Sequence, residues 1–146
     1  MKWVTRARPK TDRIACPWLI LRFIDPGAEI IYVPREEVLA FAESDGARSF
    51  DAPGAEFTHR NGKCTFEVLV EEFAIEDPAV LILALIVHGA DISGELDTTP
   101  QSAGLLAIAE GFGDVESDDQ KLLAMELPVY DALYEWCRRQ VQAGPG

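Results

Sequence analysis

Phe66, Leu69, Val70 and Phe73 stand at i, i+3, i+4 and i+7 in CTFEVLVEEF, the spacing of one helix face, and predict a helix just after Cys64. Asp77-Pro78 is an N-cap followed by a first-turn proline. The stretch it opens, AVLILALIV, is apolar on all sides and predicts a central, fully packed helix ending at His88. Asp12 or Cys16 opens an earlier helix that carries Trp18, Leu19 and Phe23 and stops before Pro26-Gly27. Another runs from Pro34 to Gly46. Thr99-Pro100 starts a helix over 103–112, and Ser117-Asp118-Asp119 starts a final one through Trp136 with a kink or break at Pro128.

Short β-branched or alternating runs predict strands at 2–6, 29–33, 48–51 and 56–59, the last followed by the turn pair Asn61-Gly62. The predicted fold is α+β: one helix-rich domain over residues 1–142, with a small sheet of about four short strands and five to six helices. A flexible tail is expected at 143–146. A chain of 146 residues with 48% apolar content can bury its own core, so wholesale disorder is not expected.

The net charge of −12 excludes a stand-alone nucleic-acid binder, because the acidic bulk repels phosphate backbones. The charge is uneven, however. Lys2, Arg6, Arg8, Lys10, Arg13 and Arg22 face only Asp12 before residue 25, and a small anion can find that segment. No apolar run approaches the roughly 18 residues of a membrane span. MKWVTRARPK lacks the apolar region of a secretory signal, so a cytoplasmic protein is expected. Three widely spaced cysteines make a poor disulfide framework and fit reduced thiols.

Three constellations carry chemistry. His59, Glu67, His88 and Asp91, with Cys64 as an alternate ligand, bring both histidines of the chain beside acidic residues. Two imidazoles with carboxylates suit a divalent ion such as Fe, Mn or Zn, and the expectation is that His59 and His88 meet at one ion. Cys16, if it caps a helix whose first residue is Pro17, lies at the positive end of the dipole near Arg13. There it would be a low-pKa redox thiol; the alternative is a small buried hydrophobe. Arg6, Arg8, Arg13 and Arg22 offer guanidinium forks to a tetrahedral dianion such as phosphate, sulfate or chromate, or else form a solvated basic edge. Neither G-x-G-x-x-G nor a Walker loop is present.

Four segments, WVTRARPKTDRIACPWLILRFIDPGAEIIYVP, FDAPGAEFTHRNGKCTFEVLVEEF, LALIVHGAD and YDALYEWC, together resemble the C-terminal domain of the ChrB chromate-resistance family. The resemblance runs nearly end to end. It implies a part in chromate resistance, in a family whose full-length members are chromate-sensing regulators with an additional N-terminal region. The most characteristic segments contain Arg13, Cys16, Trp18, His59, Cys64, Glu67, His88 and Asp91. The expected function is a metal- or oxyanion-binding sensor or handling module. Alternatives are a metal- or thiol-dependent enzyme (a hydrolase or a chromate-directed oxidoreductase), or an interaction module that binds a regulator or transporter partner through an apolar patch around Tyr130, Leu133, Tyr134 and Trp136. A homodimer is a further expected partner.

Overall fold

The computed structural model describes residues 1–144. Strand β1 is Lys2–Arg6, β2 is Glu29–Val33 and β3 is Arg48–Ser49. The helices are α1 (Asp12–Leu19, continued by a π-turn over Ile20–Ile24), α2 (Val38–Asp45), α3 (Thr65–Glu72), α4 (Pro78–Asp91), α5 (Ser102–Val115) and α6 (Asp119–Ala143). Short 3-10 turns, Arg35–Glu37 and Leu96–Thr98, precede α2 and α5. The architecture is helix-rich α+β, as the periodicities predict.

The three strands are parallel in the order β2-β1-β3, with Trp3 beside Ile30 and Arg48. Helices α1 and α2 make the two crossovers, which parallel pairing requires. The chain steps outward from β1 to β2 and then back across to β3. The order therefore reverses at β1, which leaves a crevice beyond the carboxyl ends of β1 and β3.

A fourth strand at 56–59 does not form: Phe57 makes a single parallel bridge to Phe50. Strand β3 stops at Ser49 instead of residue 51, because Asp51 takes a positive φ of 49° that turns the chain out of the sheet. Asn61 and Gly62 also have positive φ, and Arg60 and Lys63 exchange both backbone hydrogen bonds around them, the predicted tight turn.

Helix α1 begins at Asp12, so Pro17 is internal and Cys16 is not its cap. A proline there leaves the Arg13 carbonyl without its helical donor. The Tyr32 hydroxyl donates to that oxygen at 2.6 Å, which explains why the helix continues. Helix α6 likewise runs through Pro128 without the expected break. Of the expected tail, Ala143 ends α6 and Gly144 caps it, while 145–146 lie outside the described residues.

The core gathers Trp3, Ile14, Trp18, Phe50, Phe66, Leu69, Leu83, Ile86 and Tyr130 from both the sheet and the helices. Helix α4 contributes most of its length but is not fully packed, since Leu81 and Leu85 are about half exposed. Tyr130 is fully buried, and Leu133, Tyr134 and Trp136 are partly buried against the core. No described helix is long and apolar enough to cross a membrane.

Candidate metal centre

Strand β1 delivers Arg6 to the crevice at its carboxyl end, and the following loop delivers Asp12 in the first turn of α1. The turn after β3 delivers Asp51. His59 arrives from the loop anchored by Phe57, whose ring stacks on Trp3 and packs against Phe73. The last turn of α4 supplies Asp91.

Asp12, Asp51 and Asp91 converge on one atom of His59. His59 Nε2 lies 3.3 Å from an Asp12 carboxylate oxygen, 3.4 Å from one of Asp51 and 3.0 Å from one of Asp91. The imidazole is 45% exposed whereas Asp12 is 1% exposed, so a buried carboxylate floor carries a solvent-facing ring. Asp12 is held there because its two oxygens accept the Thr65 and Phe66 backbone N–H groups at 2.7 and 3.2 Å, satisfying the first turn of α3. Asp51 accepts from the Thr65 hydroxyl at 2.8 Å.

The electrostatics follow from crowding three carboxylates in a dry place. Burial raises Asp12 above the ordinary carboxylate range, with Asp51 adding repulsion against the hydrogen bond from His59. Burial and the Asp12 and Asp51 charges raise Asp91 to about 7. Burial also pushes Asp51 upward, but hydrogen bonds from His59 and Thr65 and the Arg13 charge outweigh it, leaving Asp51 below its usual value. Hydrogen bonds to Asp12 and Asp51 hold the His59 imidazolium up to about 10. A single Nε2–H cannot satisfy three carboxylate oxygens. A dication held between ring nitrogen and carboxylates could, and Asp12, His59 and Asp91 offer three ligand atoms all within 4.8 Å of one another.

His88 is elsewhere. It sits in a second cluster, with Nδ1 2.5 Å from Glu67 Oε1 and Nε2 in contact with a Glu95 carboxylate oxygen. Burial lowers its pKa, but the hydrogen bonds to Glu67 and Glu95 prevail and raise it. The four residues His59, Glu67, His88 and Asp91 are thus shared between two clusters, two to each. Cys64, the alternate ligand, falls with Glu67 and His88.

The four arginines also part company. Arg6 and Arg13 flank Asp51, each 3.9 Å from its Oδ2, and Arg6 Nε donates to the Asp51 carbonyl. Arg8 turns to the start of α6, donating to the Ser117 carbonyl, and Arg22 forms a two-pronged pair with Asp131. Cys16 is fully buried inside α1 with its sulfur 3.8 Å from Asp12. Burial and the Asp12 charge push its thiol well above the ordinary range, opposite to what a redox thiolate requires.

Asp12, Asp51 and Glu95 complete the two clusters, and spacing in the sequence does not single them out. For Asp12 a signal existed: it is the one acid in a segment of six bases.

The family model described as "ChrB, C-terminal domain" matches residues 3–137. Protein ChrB of Cupriavidus metallidurans is 37% identical over 136 residues, which cover 91% of this chain and 40% of that relative. The chain therefore spans about two-fifths of the length of the relative it matches. No solved structure matches it. With nearly the whole sequence matched, the chain belongs to the ChrB C-terminal domain family.

Proposed function

We propose that this chain binds a divalent metal ion, Fe, Mn or Zn, through Asp12, His59 and Asp91, and that the ion and Arg6 and Arg13 together receive a small oxyanion in a role related to chromate resistance. The observation that carries the reading is the approach of three carboxylate oxygens to one ring nitrogen. Carboxylate and imidazole donors suit Mn, Fe and Zn. Three protein ligands would leave coordination positions open, and His59 also lines a pocket of about 210 Å³ with Arg6, Asp51, Ala52, Pro53 and Thr58.

The position agrees with the topology. In open parallel sheets, ligands bind beyond the carboxyl ends of the strands where strand order reverses, and this cluster stands there. Membership of the ChrB family supports chromate as one oxyanion to test. The ion would attract the oxyanion as a Lewis acid, and Arg6 would add a charge-assisted hydrogen bond at the rim.

Chelator-treated protein titrated with Mn²⁺ in a calorimeter tests this. Wild type binds one ion, and His59→Ala or Asp91→Asn weakens binding at least tenfold. Arg6→Ala keeps Mn²⁺ affinity but weakens sulfate or chromate binding to the loaded protein by about tenfold. Unchanged Mn²⁺ affinity in both metal-ligand variants removes the reading.

A further inference from the structure

The second cluster is built differently from the first. Cys64 sits at the N-cap of α3 and Glu67 at its third helical position, while His88 lies three residues before the end of α4. Their sulfur, carboxylate oxygen and ring nitrogen lie mutually within 4.8 Å. A tetrahedral ion with bonds of about 2.0–2.3 Å holds its ligands roughly 3.3–3.7 Å apart, so small side-chain rotations close this set around one.

Two further observations point to an ion. Cys64 is fully buried; its sulfur caps α3 by accepting the Glu67 backbone N–H, and among the described residues nothing accepts its S–H. His88 presents Nδ1 to the cluster, while Nε2 meets the Glu95 carboxylate on the opposite side of the ring. This is the arrangement in which a metal-binding histidine donates its other N–H to an orienting carboxylate. Glu67 is anchored as well, since its Oε1 accepts the Cys64 backbone N–H at 3.0 Å.

We propose that Cys64, Glu67 and His88 form a second metal site, selective for a thiophilic ion of the Zn²⁺ class, with Glu95 as the positioning residue that orients His88. The site differs from the first in carrying sulfur, which selects zinc over manganese. Binding exchanges the thiol S–H bond for a sulfur–metal bond and releases the proton to solvent. Its consequence is mechanical: an ion there ties the start of α3 to the last turn of α4, the same two segments that hold Asp12 and supply Asp91 to the first site.

Co²⁺ added to the chelator-treated chain separates the sites, because only a sulfur ligand gives a near-ultraviolet thiolate-to-cobalt charge-transfer band. Wild type is expected to show the band at one equivalent. Cys64→Ser is expected to abolish it while retaining Mn²⁺ binding at the first site, and His59→Ala is expected to retain it. Glu95 is half exposed, so Glu95→Gln tests the proposal without threatening the fold. It is expected to weaken Zn²⁺ binding 10–100-fold with Mn²⁺ affinity unchanged. Absence of the band in wild type, its survival in Cys64→Ser, or unaltered Zn²⁺ affinity in Glu95→Gln overturns the proposal, whatever the fate of the first site.

Discussion

The two histidines occupy opposite kinds of place. His59 is an exposed ring above buried carboxylates, whereas His88 is a largely buried ring reaching an exposed carboxylate, and only His88 has a sulfur beside it. The first arrangement would leave an ion bound as proposed on the solvent side of the carboxylates, with Arg6 and Arg13 beside Asp51, as ligand exchange requires. The second would hold its proposed ion between α3 and α4, on a largely buried imidazole and a buried sulfur. If both proposals hold, the contrast separates a site that handles a ligand from one that fastens helices.

The largest way to sharpen this contrast is at Asp12, which serves both the first site and the fold. Asp12→Ala leaves the Thr65 and Phe66 N–H groups buried without an acceptor and removes a ligand. Urea denaturation should show a loss of roughly 3–5 kcal/mol. His59→Ala, at a half-exposed ring, should cost less than Asp12→Ala, on the order of 1–2 kcal/mol for leaving the buried carboxylates without their imidazolium, while abolishing Mn²⁺ binding equally. Equal stability losses in the two variants would break the division between floor and lid.

Next in size is a pH effect that separates Asp91 from Glu126. Both are raised to about 7, Asp91 by burial and neighbouring charge, Glu126 by burial alone with neither oxygen partnered. A raised carboxyl means that the native state holds a proton the unfolded chain has lost. The contribution of these two carboxyls to metal-free stability should therefore fall as pH climbs from about 4 to 7, and a further loss should follow above about 6.5 as His59, held up to about 10, gives up its proton. Asp91→Asn and Glu126→Gln should each restore on the order of 2–3 kcal/mol at pH 8 and almost nothing at pH 4. Added Mn²⁺ should then distinguish them: it stabilises Glu126→Gln like wild type and leaves Asp91→Asn unmoved. A stabilisation of Asp91→Asn by Mn²⁺ would remove Asp91 from the site.

A smaller effect should couple the clusters. Gly89 lies between His88 and Asp91, and a Cβ there would stand 2.7 Å from the Ser102 Cβ and 3.0 Å from the Glu95 carbonyl, so α5 packs against bare backbone. Gly89→Ala should cost about 1–3 kcal/mol by thermal denaturation and weaken Mn²⁺ and Zn²⁺ binding together. Loss of one ion alone would show that the α4 turn does not join the sites.

Much of this frame is legible in the sequence because its signals are local. Asp77-Pro78 starts α4, Asn61-Gly62 turns the chain that carries His59, and the apolar spacing after Cys64 gives α3. The clusters are less legible because they are made by pairings distant in the chain. Asp12 reads as an ordinary acid favoured by a helix N-terminus, yet its carboxylate caps a different helix 53 residues away. Three-residue spacing places His88 and Asp91 near one face of α4 but cannot show that the first turn of α3 contacts both clusters, with Asp12 on its Thr65 and Phe66 N–H groups and Glu67 facing His88. Cys16 misleads for a related reason: a proline marks helix starts so often that an internal one, made tolerable by the Tyr32 hydroxyl, reads as an N-terminus.

Anomalous diffraction from a crystal of the chelator-treated chain soaked in Mn²⁺ tests the first site most directly. The expected result is one strong peak about 2.0–2.3 Å from His59 Nε2 and from oxygens of Asp12 and Asp91, absent in His59→Ala. A saturated crystal with no peak there, or a peak that persists in His59→Ala, contradicts a metal centre at the carboxyl edge of the sheet.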